Sequence, residues 1–471
     1  MNGIHDPKEE ATRTDRKDGA TPVARRTFLK ASAGGAAAVL VSGPLATAAH
    51  AARRVAAPTT LRVQHFYVGA AQTVPAARFT KLLREFEAQN PGITVNTQAI
   101  AATDLNAYTQ KIFLGVTAGN PVDLVVNAFN AQGGARGFFT DLGPLLAAAG
   151  EPYNYKNWAA PQREFNQVGT KVYGLQHETD TRLLYWNKAL FRAAGLNPER
   201  PPTTWTELLQ YARKLTKTDK SGKITQLGIS TTGGENHPYW WMGLAGGAPN
   251  KSWYTFNGPV PTTHFSSPAC VRGMTYLRDL SDAMGGIKAA NAFNAGLSTG
   301  ADPFLSGQLA MQINGDWGVS VYAQTAPKGF AYGVAPVPGP DTGGVPFNLS
   351  GGWSLAIPKG AKNLNASFKL LHWLVSAKPL LEWDAGMQYI IPRLDLAPHA
   401  KGTAPFNTYP FSAFQAEVPH TVSFPAPYWG SPTYDAYAAR QDILSHVATP
   451  QAALARVDKE WGAVISDYFG L

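Results

Sequence analysis

The chain has 471 residues, of which 44% are hydrophobic, 11% aromatic and only 15% charged, and its formal net charge is +9. That is longer than one hydrophobic core usually serves, so two domains of roughly 200 residues each are expected, and it is too apolar for a disordered chain. A single cysteine, Cys270, excludes an intramolecular disulfide, a Cys-ligated zinc site and an iron–sulfur cluster.

The first fifty residues read as an address rather than as structure. A polar lead runs into Arg25-Arg26-Thr27-Phe28-Leu29-Lys30, a weakly apolar stretch follows from Ala31 to Ala49, and Ala49-His50-Ala51 offers a small-x-small cleavage site. This order resembles a twin-arginine export signal, so residues 1–51 are set apart from the fold and the remainder is expected in the periplasm or at the cell exterior. The segment carries seven Lys/Arg against five Asp/Glu, so its removal leaves +7. That excess is spread thinly, without the clustered cations and interleaved aromatics of a nucleic-acid surface, and no nucleic-acid partner is expected. No later segment reaches the ~18 apolar residues of a membrane span, and no cysteine ends the signal to take a lipid. A free, soluble, monomeric product is expected.

Along the rest of the chain, Thr60 to Tyr67 reads as a strand and Pro75 to Gln89 as a helix with Phe79, Leu82, Leu83 and Phe86 on one face, closed by Asn90-Pro91-Gly92. Ile93 to Gln98 alternates with the period of a strand. Leu105 to Ala118 has helical spacing, and Val122 to Phe129 is an apolar run of the kind that forms a buried parallel strand. Strand and helix in alternation mean a doubly wound α/β unit. A second unit opens with a strand at Thr181 to Trp186 and a capping box at Thr204-x-x-Glu207. Another strand ends at Gly228 to Thr231, and helices fit Pro268 to Ser281 and Asn365 to Ser376.

In such sheets ligands meet the loops beyond the carboxyl ends of the strands, which nominates His65, Phe66, Asn127 and Asn130, each of which can equally be a satisfied loop residue. The spacings of nucleotide loops, zincins and serine esterases are missing. His177-Glu178-Thr179-Asp180 has metal-type side chains, but adjacent positions do not converge on one ion without special geometry, so neither metal nor cofactor is expected. Aromatic residues beside Gly, Asn and Asp stand out: Pro238-Tyr239-Trp240-Trp241, Asn314-Gly315-Asp316-Trp317, Gly351-Gly352-Trp353 and Tyr428-Trp429-Gly430. A pyranose offers an apolar C–H face to a ring and hydroxyls to amides and carboxylates, so this mixture suits a carbohydrate, although tryptophans also fill cores.

Several stretches together resemble the sugar-binding group of extracellular solute-binding proteins of ATP-binding cassette importers, to which maltose-binding protein belongs. They are Phe79 to Gly92, Leu183 to Phe191 with Ala194-Gly195-Leu196, Pro202 to Leu208, Phe304 to Trp317, and Gly351 to Gly360. The resemblance implies a two-lobed α/β periplasmic-binding-protein fold of the Venus-flytrap type, with mixed sheets flanked by helices. It implies lobes at 58–177 plus 336–377 and at 178–335 plus 378–471, with crossings near 175–180, 333–338 and 376–380. Glu178 or Asp180 becomes a polar contact at the crossing, Tyr239 and Trp240 a wall of the second lobe, and Trp317 a stacking platform beside Asp316. Gly352, Trp353 and Trp429 complete the candidates. The implied function is capture of a sugar and its delivery to permease subunits. Alternatives are a polyol or glycerol-phosphate-like ligand on the same fold and, from another class, an exported carbohydrate-active enzyme, which would need two carboxylates flanking the scissile bond.

Overall fold

The computed structural model describes residues 58–470 apart from 69–72, 102–104, 129, 150–156, 249–252, 256–259, 299, 301, 401 and 425–431. The stretch expected to be an export signal, residues 1–51, and Trp429 therefore lie outside the described residues.

The expected alternation builds the first sheet. Strands Ile93–Ala99, Thr59–His65 and Leu124–Asn127 run parallel in that spatial order, and Ser354–Ala356 and Leu175–Gln176 add antiparallel strands at one edge. Helix Thr73–Gln89 buries Phe79, Leu82, Leu83 and Phe86, the stripe that its 3.6-residue period specifies. It stops at Asn90, whose side-chain amide donates to the Phe86 carbonyl, and Gly92 follows at φ 96°. The expected strand at Val122 to Phe129 is shorter, Leu124–Asn127, because a helix, Asn130–Ala135, starts directly after it.

The second sheet has the order Tyr332–Ala335, Arg182–Asn187, Leu309–Gly315, Ile224–Ile229 and Lys217–Thr218, with one parallel pair among antiparallel ones. Thr204 caps helix Trp205–Leu215 by accepting the Glu207 N–H, while Glu207 reaches one residue further back than a capping box requires, to Thr203. Helix Pro268–Asp282 starts at Ser267, which accepts the Cys270 N–H. Its neighbour Pro238–Leu244 is buried on every side.

Two apolar cores result, one around each sheet. The chain passes from the first to the second at 177–181. The return lies at 351–353, later than the 333–338 expected, because Phe347 and Leu349 still pack in the second core while Leu355 packs in the first. The third passage follows helix Ala377–Met387, which touches both cores, Leu380 the second and Trp383 and Met387 the first, and it reaches Ile390 and Ile391 in the second. The three passages bond to one another: His177 N donates to the Trp353 carbonyl at 3.1 Å and Thr179 N to the Ile390 carbonyl at 3.3 Å.

Candidate ligand-binding site

Beside these passages lies a cavity of about 840 Å³ whose walls come from elements of both cores. The first core contributes Phe66, just past strand Thr59–His65, together with Val74 and Pro75 at the start of helix Thr73–Gln89. The second contributes Trp317 and the helix it opens, Trp317–Thr325, with Phe424 and Tyr437; Glu178, Thr179, Asp180, Gly351, Gly352, Trp353 and Tyr389 line it from the passages. Phe66 and Trp353, both packed with the first core, lie 3.9 Å apart between ring centroids and form one aromatic surface of the cavity, while Trp317 and Phe424 are further rings in its lining.

Arg182, the first residue of strand Arg182–Asn187, organises the polar part. Its Nε donates to Glu235 at 2.7 Å, and Nη1 donates to Asp180 and to the Leu349 carbonyl at 3.2 Å. Its guanidinium carbon lies 5.1 Å from the Trp317 ring and 4.9 Å from the Phe424 ring, within cation–π range of both. Burial disfavours this cation, but Asp180 and Glu235 outweigh it and hold its pKa above the ordinary arginine value. Burial likewise pushes the Glu235 carboxyl up, yet Arg182 and His237 more than offset that and set it at about 2. His237 Nε2 lies 3.0 Å from Glu235, and its Nδ1 lies 2.7 Å from the Tyr437 hydroxyl. Asp180 also accepts the Gly351 N–H at 2.7 Å, tying two passages together.

Six candidates from the sequence line the cavity: Phe66, Glu178, Asp180, Trp317, Gly352 and Trp353. Six do not come to its wall. His65 is buried against Tyr67 and Phe79, and burial lowers its pKa to about 4. Asn127 and Asn130 belong to an amide network in which Asn127 donates to Asn130 and Asn130 to Asn166. Tyr239 packs against Trp253 and Tyr437, and Trp240 is fully buried with its N–H donating to the Glu235 carbonyl. Asp316 stands behind Trp317 and accepts the N–H groups of Thr181 and Ile390. Reasoning from sequence missed Arg182, Glu235, His237, Tyr389, Phe424 and Tyr437. For Arg182 the signal was present: a charged residue heads an otherwise apolar buried strand.

The carboxyls of Glu178, in the cavity wall, and of Asp316 and Asp384, outside it, are all pushed up, first by burial and then by one another or by Asp180. Asp384 is fully buried, and neither carboxyl oxygen has a hydrogen-bond partner among the described residues. A carboxyl whose pKa is higher folded than unfolded holds its proton in the fold after the unfolded chain has lost it. Its contribution to stability is therefore complete below the unfolded value of about 4 and falls as pH rises toward the folded value. Asp384→Asn is neutral at every pH. Its melting temperature is expected to match the parent's near pH 4 and to exceed it increasingly toward pH 8, by about 1–3 kcal/mol of stability; a gap independent of pH would contradict this.

Two α/β lobes around a cavity walled by aromatic rings and a guanidinium–carboxylate cluster define a two-lobed binding protein. The chain belongs to the bacterial extracellular solute-binding protein family, whose model matches residues 70–379. It is similar to the solved structure of CpMnBP1 with mannotriose bound, at 26% identity and a TM-score of 0.70, over 85% of this chain and 99% of that one. A putative binding protein of Brucella abortus is 24% identical over 68% of this chain and 76% of its own length. An sn-glycerol-3-phosphate-binding periplasmic protein of Salmonella paratyphi A is 27% identical over 45% of this chain and 47% of its own.

Proposed function

We propose that this protein is the exported substrate-binding component of an ATP-binding cassette importer and captures a mono- or oligosaccharide in the cavity between its lobes. The observation that carries this reading is a cavity lined by the contacting rings Phe66 and Trp353 and by Trp317 and Phe424, which flank Arg182, around hydrogen-bonding groups. Rings hold the C–H faces of a sugar, and carboxylates and a guanidinium hold its hydroxyls. The likeness to a mannotriose-bound protein supports it. The lobes divide at the passages, as 58–177 plus 351–387 and 178–350 plus 388–470, a division supported by the two apolar cores, with helix Ala377–Met387 touching both. Ligand touching both lobes favours the closed form by its differential affinity for it, and the closed form docks on permease subunits. Residues 1–51 direct export by the twin-arginine route and are removed. The product acts as a monomer in the periplasm or at the cell exterior.

The test is a thermal-shift screen of the processed protein against mannobiose, mannotriose, maltose, monosaccharides, polyols and glycerol phosphates, since a ligand of the folded state raises the melting temperature. One class is expected to raise it, and Trp317→Ala is expected to weaken that binding about 10- to 100-fold by removing a stacking surface worth roughly 1.5–3 kcal/mol. No shift with any probe, or steady consumption of a sugar that binds, would sink the capture reading.

A further inference from the structure

Building on the capture reading, we infer that Asp180 and Glu235 set the charge specificity of the cavity: they neutralise Arg182, so that its free Nη2 serves an uncharged hydroxyl or ring oxygen and phosphorylated or carboxylated sugars are refused.

A guanidinium carries five N–H donors in a planar fork. Here Nε and Nη1 are engaged by Glu235, Asp180 and the Leu349 carbonyl, and among the described residues Nη2 has no hydrogen-bond partner. The side chain is only 6% exposed, yet Arg182 lines the cavity, so the donors left over are those that a ligand meets. An isolated arginine in such a place would attract a phosphate bidentately. This one has a carboxylate on each of two nitrogens, and Glu235 stays ionised across the physiological range. Glu178 is left out of the charge count because burial favours its protonated form. With His237 neutral, Asp180, Glu235 and Arg182 together carry one net negative charge; a proton on His237, which sits 3.0 Å from Glu235, would cancel it.

An anion of unit charge held ~5 Å from that excess, at an effective dielectric constant of ~20, loses roughly a hundredfold in affinity against its uncharged counterpart. Of the helix starts at the cavity, Ala436–Leu444 already has Asp435, whose carboxylate takes the N–H groups of Tyr437 and Ala438, and Thr73–Gln89 presents Thr73, Val74 and Pro75, the last without an N–H to give; Asp316 at the start of Trp317–Thr325 makes no side-chain cap bond to it. Arg78 packs its guanidinium against Gly386 and does not line the cavity.

The experiment is isothermal titration of the processed protein with mannobiose, mannotriose, maltose and glucose, and with glucose 6-phosphate, galacturonate and sn-glycerol 3-phosphate, repeated for Glu235→Gln and for Asp180→Asn with Glu235→Gln. The parent is expected to bind its best neutral sugar at least about a hundredfold tighter than any anion. Glu235→Gln is expected to narrow that gap about tenfold or more, and the double variant to narrow it further, with the gain shrinking at high salt. A parent that binds an anionic probe as tightly as its best neutral one overturns the inference and leaves the capture reading intact. An unchanged gap in both variants, with circular dichroism and melting showing an intact fold, overturns it too. A parent that binds none of the probes overturns the capture reading and the inference with it.

Discussion

Arg182→Met is expected to abolish measurable ligand binding and to lower folding stability by about 3–5 kcal/mol, the usual cost of removing one partner from a buried ionic cluster. Methionine keeps much of the length and bulk but none of the charge. It leaves Asp180 and Glu235 facing each other without the cation that stabilises both, and Trp317 and Phe424 lose the guanidinium beside their rings. Denaturant titration and calorimetry measure the two effects on one preparation. Adding Asp180→Asn and Glu235→Gln to Arg182→Met removes the stranded charges, so stability is expected to return most of the way while binding does not. Recovery of binding in that triple variant would show that Arg182 matters only for the fold.

Gly352→Ala carries the second large effect. Gly352 sits at φ +96°, where a side chain is strained, and a Cβ there would lie 2.4 Å from the Glu178 carbonyl oxygen and 2.8 Å from Thr179 Cα. Both are backbone atoms of the neighbouring passage, so no side-chain rotation relieves the contact. The Trp353 carbonyl, which accepts the His177 N–H, must shift with it. A loss of about 3 kcal/mol is expected. Because Glu178, Trp353 and Gly352 all line the cavity, weaker binding should accompany it. Gly351→Ala serves as the comparison: its Cβ would meet the Asp180 carboxylate no closer than 3.3 Å, and no positive φ is imposed on it, so it is expected to cost less than half as much. Equal losses in the two variants would refute the steric account.

The legible parts of this chain are those governed by local periodicity. Phe79, Leu82, Leu83 and Phe86 mark one helix face whatever that face packs against, and Thr204 and Ser267 cap their helices through bonds that span three residues. The loops that reach the cavity were also readable in part, since Asp180, Trp317 and Trp353 each sit where an element gives way to a turn or passage. The six residues that the sequence pointed to and the cavity does not use failed for one reason. His65, Asn127, Asn130, Tyr239 and Asp316 lie within one or two residues of a wall residue and Trp240 within three, and a shift of one position turns a side chain from the cavity into the core.

Helix Pro238–Leu244 shows why this could not be read locally. Its seven residues have no polar face to betray an outside, and all seven are buried, so the aromatic run that suggested a platform instead packs between neighbouring elements. Arg182 lies 53 positions before Glu235, yet with His237 they form one hydrogen-bonded cluster. Local sequence establishes the helical faces, the alternating α/β order and the family likeness, because each of these depends on residues close together in the chain. Which aromatic rings face a ligand, and which charges neutralise one another there, is settled only when three passages bring distant segments together, because burial and Coulomb interaction depend on distance in space and not along the chain.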